Sequence, residues 1–172
     1  VLIPDLRAHG KSEGKYIGMG WLDRLDLIEW INYLIKTYGN IKIILYGISM
    51  GAAAVMMTSG EKLPSNVRIV IEDCGYTSVW EEFSDKLKAI FHMPKFPAMY
   101  NANLIAKVRA GYSLKKASSI NQIKKSKIPT LFIHGDNDKF VPFSMLDKLY
   151  EAASCKKEKL VISGAGHAEA QV

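Results

Sequence analysis

Three residue types able to pass a proton from one to the next are spread along this chain at Ser49, Asp138 and His167. The serine lies in Gly47-Ile48-Ser49-Met50-Gly51, a G-x-S-x-G pattern. A motif this short can occur by accident, so its surroundings decide its meaning. An apolar run at 41–47 precedes it, and an alanine- and methionine-rich stretch follows. Strand, corner and helix are what a nucleophile elbow requires. At such a corner the serine backbone is strained, and the spacing predicts that Gly47 and Gly51 are glycine because side chains there would collide. The corner lifts the Ser49 hydroxyl clear of the strand and aims the Met50 N–H at the place where an oxyanion would form. The competing reading, a serine that merely caps the following helix, has no use for glycine on both sides.

A serine hydroxyl attacks a carbonyl only if a base takes its proton. Of the four histidines, His9 lies in a loop, His92 in a helical interval and His134 at the end of an apolar run. His167 lies in the glycine-rich turn Ser163-Gly164-Ala165-Gly166, which suits a base that must reach over the serine. The base needs a carboxylate to orient it. Asp136, Asp138 and Asp73 all follow apolar runs. Asp138 is favoured because it lies farther into its loop, and Asp136 is expected to order that turn. The chain order Ser49, Asp138, His167 is one of the known triad orders.

The elements that must position these groups alternate short apolar runs with helical periods, which predicts an α/β fold with a mostly parallel sheet, flanking helices and about five strands. The predicted strands are 1–4, 41–47, 67–72, 128–134 and 159–162. Residues 21–38 repeat apolar positions at helical spacing and end at Gly39, and a helix is expected over 142–153. The interval 77–127 carries no clear strand. It reads as two or three helices broken at Pro94 and Pro97, an insertion or lid-like segment within a single domain spanning 1–172. Its Phe91, Met93, Phe96, Met99 and Tyr100 are candidate substrate-pocket residues.

Bulk composition limits the function classes. The chain has 172 residues, 48% hydrophobic and 23% charged, with a net charge of +6. That is globular composition with enough length for one core. The lysines cluster, but few aromatic residues interleave with them as base stacking would need, so no nucleic-acid partner is expected. Two cysteines are too few for a disulfide framework, and no cysteine and histidine spacing suits a metal. No metal or cofactor is expected.

Four segments, "DLRAHGKSEG", "YGISMGAA", "HGDNDKFVP" and "GAGH", occur in an order and spacing that resembles the α/β-hydrolase superfamily. "GISMGAA" with "IEDCGYTSVWEEF" is similar to the bacterial branch described as cell-surface or serine-aminopeptidase-like hydrolases. The resemblance implies Ser49 as nucleophile, Asp138 as acid, His167 as base, and Arg7, His9 and Gly10 in a structural loop near the site. It also implies a serine hydrolase of esters, thioesters or amides acting on a small-molecule or peptide acyl substrate. A non-catalytic ligand-binding module on the same fold is the alternative. Family members carry further strands and a first helix ahead of this sequence, a loop supplying the second oxyanion donor, and a final helix. The chain is therefore expected to be a truncated fragment with weak or no activity and with possible self-association through its incomplete sheet. For the parent protein a cytoplasmic or membrane-anchored cell-surface location is expected.

Overall fold

The computed structural model describes residues 1–170. In chain order the elements are α1 (Asp23–Tyr38), β1 (Ile43–Ile48), α2 (Met50–Ser59), β2 (Val67–Asp73), α3 (Val79–Phe91), α4 (Ala98–Arg109), α5 (Ser119–Ile123), β3 (Thr130–Gly135), α6 (Ser144–Ala152) and β4 (Lys157–Ile162). The four strands form one sheet in the order β1-β2-β3-β4, and every neighbouring pair is parallel. Parallel neighbours need crossover connections, and the helices between the strands supply them.

The sheet has four strands rather than about five. Residues 1–4 make no ladder with the sheet, and Val1 and Ile3 are exposed. Their apolar character suits a strand, but a strand exists only where a neighbour takes its backbone hydrogen bonds, and none lies beside them. β1 is therefore an edge of this sheet.

The helices gather over one face. β1 alternates buried and exposed residues, and its buried Ile43 and Leu45 pack with Ile31 of α1, Val55 of α2, and Val67 and Val70 of β2. A second cluster joins Met56 of α2 to Ile123, Phe132, Leu146 and Leu149 from α5, β3 and α6. α2 is the hub of both, and Ala52 through Met57 are all buried. Three successive alanines at its start have little side chain to hold it away from the strands. Across the sheet, Ile44 and Ile69 are exposed.

The loop before α1 is held by charge and by close approach. Arg7 forms a two-pronged pair with Asp26 at 2.7 and 2.6 Å. The Asp5 carboxylate accepts from Lys11 N and lies where a Gly10 Cβ would stand, 2.3 Å away. Asp23 is buried at the head of α1 and accepts from Gly20 N at 2.6 Å.

The interval 77–127 contains three helices. Ser78 caps α3 by accepting from Glu81 N, His92 ends it with a left-handed backbone, and Pro97 precedes the first turn of α4. A single antiparallel bridge joins Ser78 to Ser118, so the interval closes on itself where it leaves and re-enters the sheet.

Glu72 is fully buried near the end of β2. Burial raises its carboxyl well above the usual range, and the Gly75 N–H only partly offsets this. A carboxyl raised on folding contributes stability below its unfolded pKa and loses it as pH climbs through the folded value. Glu72→Gln removes that loss. Thermal melting of the two proteins should give a difference in Tm, in favour of the variant, that widens from pH 5 to pH 8. A difference independent of pH would contradict a protonated Glu72.

Candidate active site

β1 runs into α2 through one residue, Ser49, whose φ of 55° and ψ of −114° lie outside the regions comfortable for a side-chain-bearing residue. Holding it there costs about 1–3 kcal/mol. Two hydrogen bonds clamp it: Ser49 N donates to Asp73 O at 2.8 Å, and Ala53 N donates to Ser49 O at 3.0 Å. The first fixes the corner to the end of β2, and the second starts the helix. The Ser49 side chain makes no helix-capping bond, so the hydroxyl is left for another partner.

The two glycines of the motif are not equivalent. A Cβ on Gly47 would stand 2.2 Å from the Gly51 carbonyl oxygen, an impossible approach, whereas a Cβ on Gly51 would meet nothing within 4 Å. The expected clash therefore exists at Gly47 alone. The strand passes directly under the first turn of the helix, and Gly51 faces open space.

The partner of Ser49 comes from 118 residues along the chain. Ser49 Oγ lies 2.9 Å from His167 Nε2, and His167 Nδ1 lies 2.8 Å from Asp138 Oδ2. The other Asp138 oxygen accepts from Phe140 N at 2.8 Å and Val141 N at 2.9 Å, which fixes the plane of a carboxylate that is itself almost fully buried. A carboxylate can only accept from the imidazole, so the Nδ1 proton faces Asp138. Nε2 is then the unprotonated nitrogen, and Ser49 Oγ donates to it.

Two turns bring these groups together. Gly135 ends β3 with a bare Cα, and a Cβ there would stand 2.2 Å from Ala165 O. The turn carrying His167 thus crosses directly over the turn carrying Asp138. Asn137 N donates to Ala165 O, and Asp136 accepts from Gly164 N at 2.6 Å. Asp136 ties the two turns, the ordering role expected of it. Asp73 is buried at the end of β2, and burial raises its carboxyl. Its oxygens make no hydrogen bond to His167, whose Nδ1 is engaged by Asp138.

Two neighbours of Asp138 and His167 were not visible in the residue pattern. His134 is fully buried on β3, with Nε2 3.0 Å from Val141 O and 3.2 Å from Asp138 Oδ2. Both neighbours accept, so Nε2 carries a proton and Asp138 holds two imidazoles at one oxygen. In sequence His134 resembles any residue ending a strand. Phe140 packs its ring on that of His167 at 4.8 Å between centroids. The remaining histidines lie apart: His9 Nδ1 contacts Arg7 O, and His92 caps α3.

Cys74 completes the surroundings. Its sulfur, a carboxylate oxygen of Asp138 and a ring nitrogen of His167 all lie within 4.8 Å of one another. Burial first, then the nearby Asp73, pushes the thiol up to about 12, so it is protonated at neutral pH. A metal ion bound by this trio would have to displace the thiol proton and part His167 from Asp138.

The candidate pocket residues divide between the core and the surface. Met99 is buried in the cluster with Ala53, Met57 and Tyr76. Phe91, Met93, Phe96 and Tyr100 are exposed. Met93 lines a surface cleft of about 310 Å³ with Lys88, His92 and Lys95, and no triad residue lines that cleft. An apolar residue in a helix does not reveal which face the helix buries, and here Met99 alone of the five turns into the core.

With this geometry in hand, residues 19–169 match the prolyl oligopeptidase family of peptidases. The chain belongs to that family. It is 31% identical over 169 residues to the protein YqkD of Bacillus subtilis, covering 98% of this chain and 55% of that one. It is 25% identical over 162 residues to bem46 of Schizosaccharomyces pombe, covering 92% and 48%. The chain thus spans about half the length of these relatives. Among solved structures it is similar to the esterase Pf2001 of Pyrococcus furiosus, with a TM-score of 0.70 and 23% identity over 96% of this chain and 61% of the esterase. It is also similar to a puromycin-hydrolyzing peptidase of Mycobacterium tuberculosis, with a TM-score of 0.65 and 14% identity over 89% and 23%. At those identities the likeness is one of fold, the α/β-hydrolase fold. The family is one of serine hydrolases that includes esterases and peptidases.

The unequal glycines give a direct check on the corner. Gly47→Ala should destabilise by about 3 kcal/mol or more, because neither backbone can yield. Gly51→Ala should be neutral or stabilising by up to about 1 kcal/mol, the helix-propensity gain over glycine. Urea unfolding of both variants measures this, and equal losses would contradict the geometry.

Proposed function

We propose that this chain carries the nucleophile, base and acid of a serine hydrolase that cleaves a carboxylic ester, thioester or amide through an acyl-enzyme. The observation that carries the proposal is the unbroken relay from Ser49 Oγ through His167 to Asp138, at 2.9 and 2.8 Å. Ser49 Oγ attacks the carbonyl carbon while its proton passes to His167 Nε2. The imidazolium that results is stabilised by Asp138, which remains a carboxylate. Collapse of the tetrahedral intermediate expels the leaving group, which takes the proton from Nε2. Water then repeats the sequence and releases the acid. The strained backbone at Ser49 is accounted for by this role, since an ordinary helix cap would need no such corner.

Met50 is assigned one oxyanion donor. As the first residue of α2, its N–H has no intrahelical acceptor, and the helix dipole favours negative charge there. One such donor is worth roughly 10²–10³ in rate. The substrate class that fits is an acyl compound of small-molecule or peptide size. Exposed Phe140, packed on the imidazole, is an apolar contact available to its acyl or leaving group.

The test is covalent labelling by a fluorophosphonate together with turnover of p-nitrophenyl acetate. The protein should label, and the label should map to Ser49. Ser49→Ala should abolish labelling and whatever turnover the chain supports. His167→Ala should also block labelling, because the hydroxyl loses its base. A protein that folds and binds acyl ligands but never labels would be the non-catalytic module instead.

A further inference from the structure

α4 is built inside out. Its inward face carries Met99, Ala102, Asn103 and Ala106. Its larger apolar residues point outward: Leu104, Ile105 and Val108 are 60%, 57% and 77% exposed. Tyr100, Leu104 and Val108 fall at i, i+4 and i+8, one stripe of the helix. The stripe continues through the preceding turn, where exposed Phe96 packs its ring edge-on to Tyr100 at 5.6 Å. A helix that buries alanine and exposes leucine, isoleucine and valine gains nothing from that arrangement in water. A contiguous apolar patch of this kind marks a contact surface.

The bases carried by this part of the chain say what it contacts. From Lys86 to Gly135 the chain carries ten of its 23 Lys and Arg and none of its 17 Asp and Glu. Lys107 and Arg109 flank Val108 at the end of the stripe, and Lys95 precedes its start. A second copy docking through the same face would bring these bases against each other. An anionic bilayer would take the apolar residues into its headgroup boundary and pair the bases with phosphates, the chemistry of an interfacial basic amphipathic helix. No helix among the described residues is long and apolar enough to cross a membrane, so binding would be at the surface.

We propose that α4 and the turn before it form a docking surface for an anionic phospholipid bilayer. This stands on exposure and charge alone and does not depend on the catalytic reading. The experiment is flotation of the protein with vesicles of phosphatidylcholine, or of phosphatidylcholine mixed with phosphatidylglycerol. Two variants join it, Leu104→Gln/Ile105→Gln/Val108→Gln and Lys107→Gln/Arg109→Gln. All five side chains are exposed, and unchanged circular dichroism verifies folding. The protein should float with the mixed vesicles and not with phosphatidylcholine alone. High salt should release it. The apolar variant should not bind, and the charge variant should bind about 25-fold more weakly, roughly fivefold per basic residue. Equal binding to both vesicle types, or undiminished binding of the apolar variant, would overturn the proposal. So would a dimer, seen by light scattering and lost in the apolar variant, with no vesicle binding.

Discussion

The close passage of β1 beneath the first turn of α2 is the constraint on which the rest of the molecule turns. Gly47 can approach the Gly51 carbonyl only because it has no side chain. That approach leaves Ser49 to make the whole change of direction in one strained residue. The strain, about 1–3 kcal/mol, is held by hydrogen bonds on either side of the serine and by the burial of α2 against two core clusters. A relaxed corner would let the Ser49 side chain cap its own helix, and the relay to His167 would have no first member.

The remaining parts of the site follow from the same economy. β2 pairs with β1, and β3 with β2, all in parallel register, so their C-terminal ends share one edge of the sheet, where open parallel sheets place their sites. Asp138 and His167 reach that edge on two turns locked together by Gly135, Asn137 and Asp136. Asp138 arrives with one oxygen fixed by two backbone amides and the other shared between His167 and His134. Its orientation is set before any substrate comes. Preorganisation of this kind is what makes fixed dipoles effective in a transition state.

Much of this was legible in the residues, and the failures have physical causes. The placement of Ser49, Asp138 and His167 depends on local chemistry: glycine spacing, a loop after an apolar run, a glycine-rich turn. Asp138 was separable from Asp136 because it lies farther into the loop, and it is Asp138 that reaches His167. Residues 1–4 were misread because strand propensity is completed by a neighbour that the segment does not contain. Both glycines were assigned a clash that only Gly47 has, since spacing alone cannot say which of two glycines meets the backbone. Phe91, Met93, Phe96, Met99 and Tyr100 were named as pocket candidates for their aromatic and methionine content, which says nothing of the side on which the core lies. His134 was hidden because its partner is Asp138, four residues on in a bent loop rather than a helix.

The central claim is that His167 is held in one tautomer by Asp138 with its free nitrogen facing Ser49. Proton and nitrogen NMR of the protein with ¹⁵N-labelled histidine tests it directly. The account predicts a strongly downfield proton bonded to His167 Nδ1, present in Ser49→Ala and lost in Asp138→Asn. Nitrogen shifts that place the proton on Nε2, or an Nδ1 proton untouched by Asp138→Asn, would contradict it.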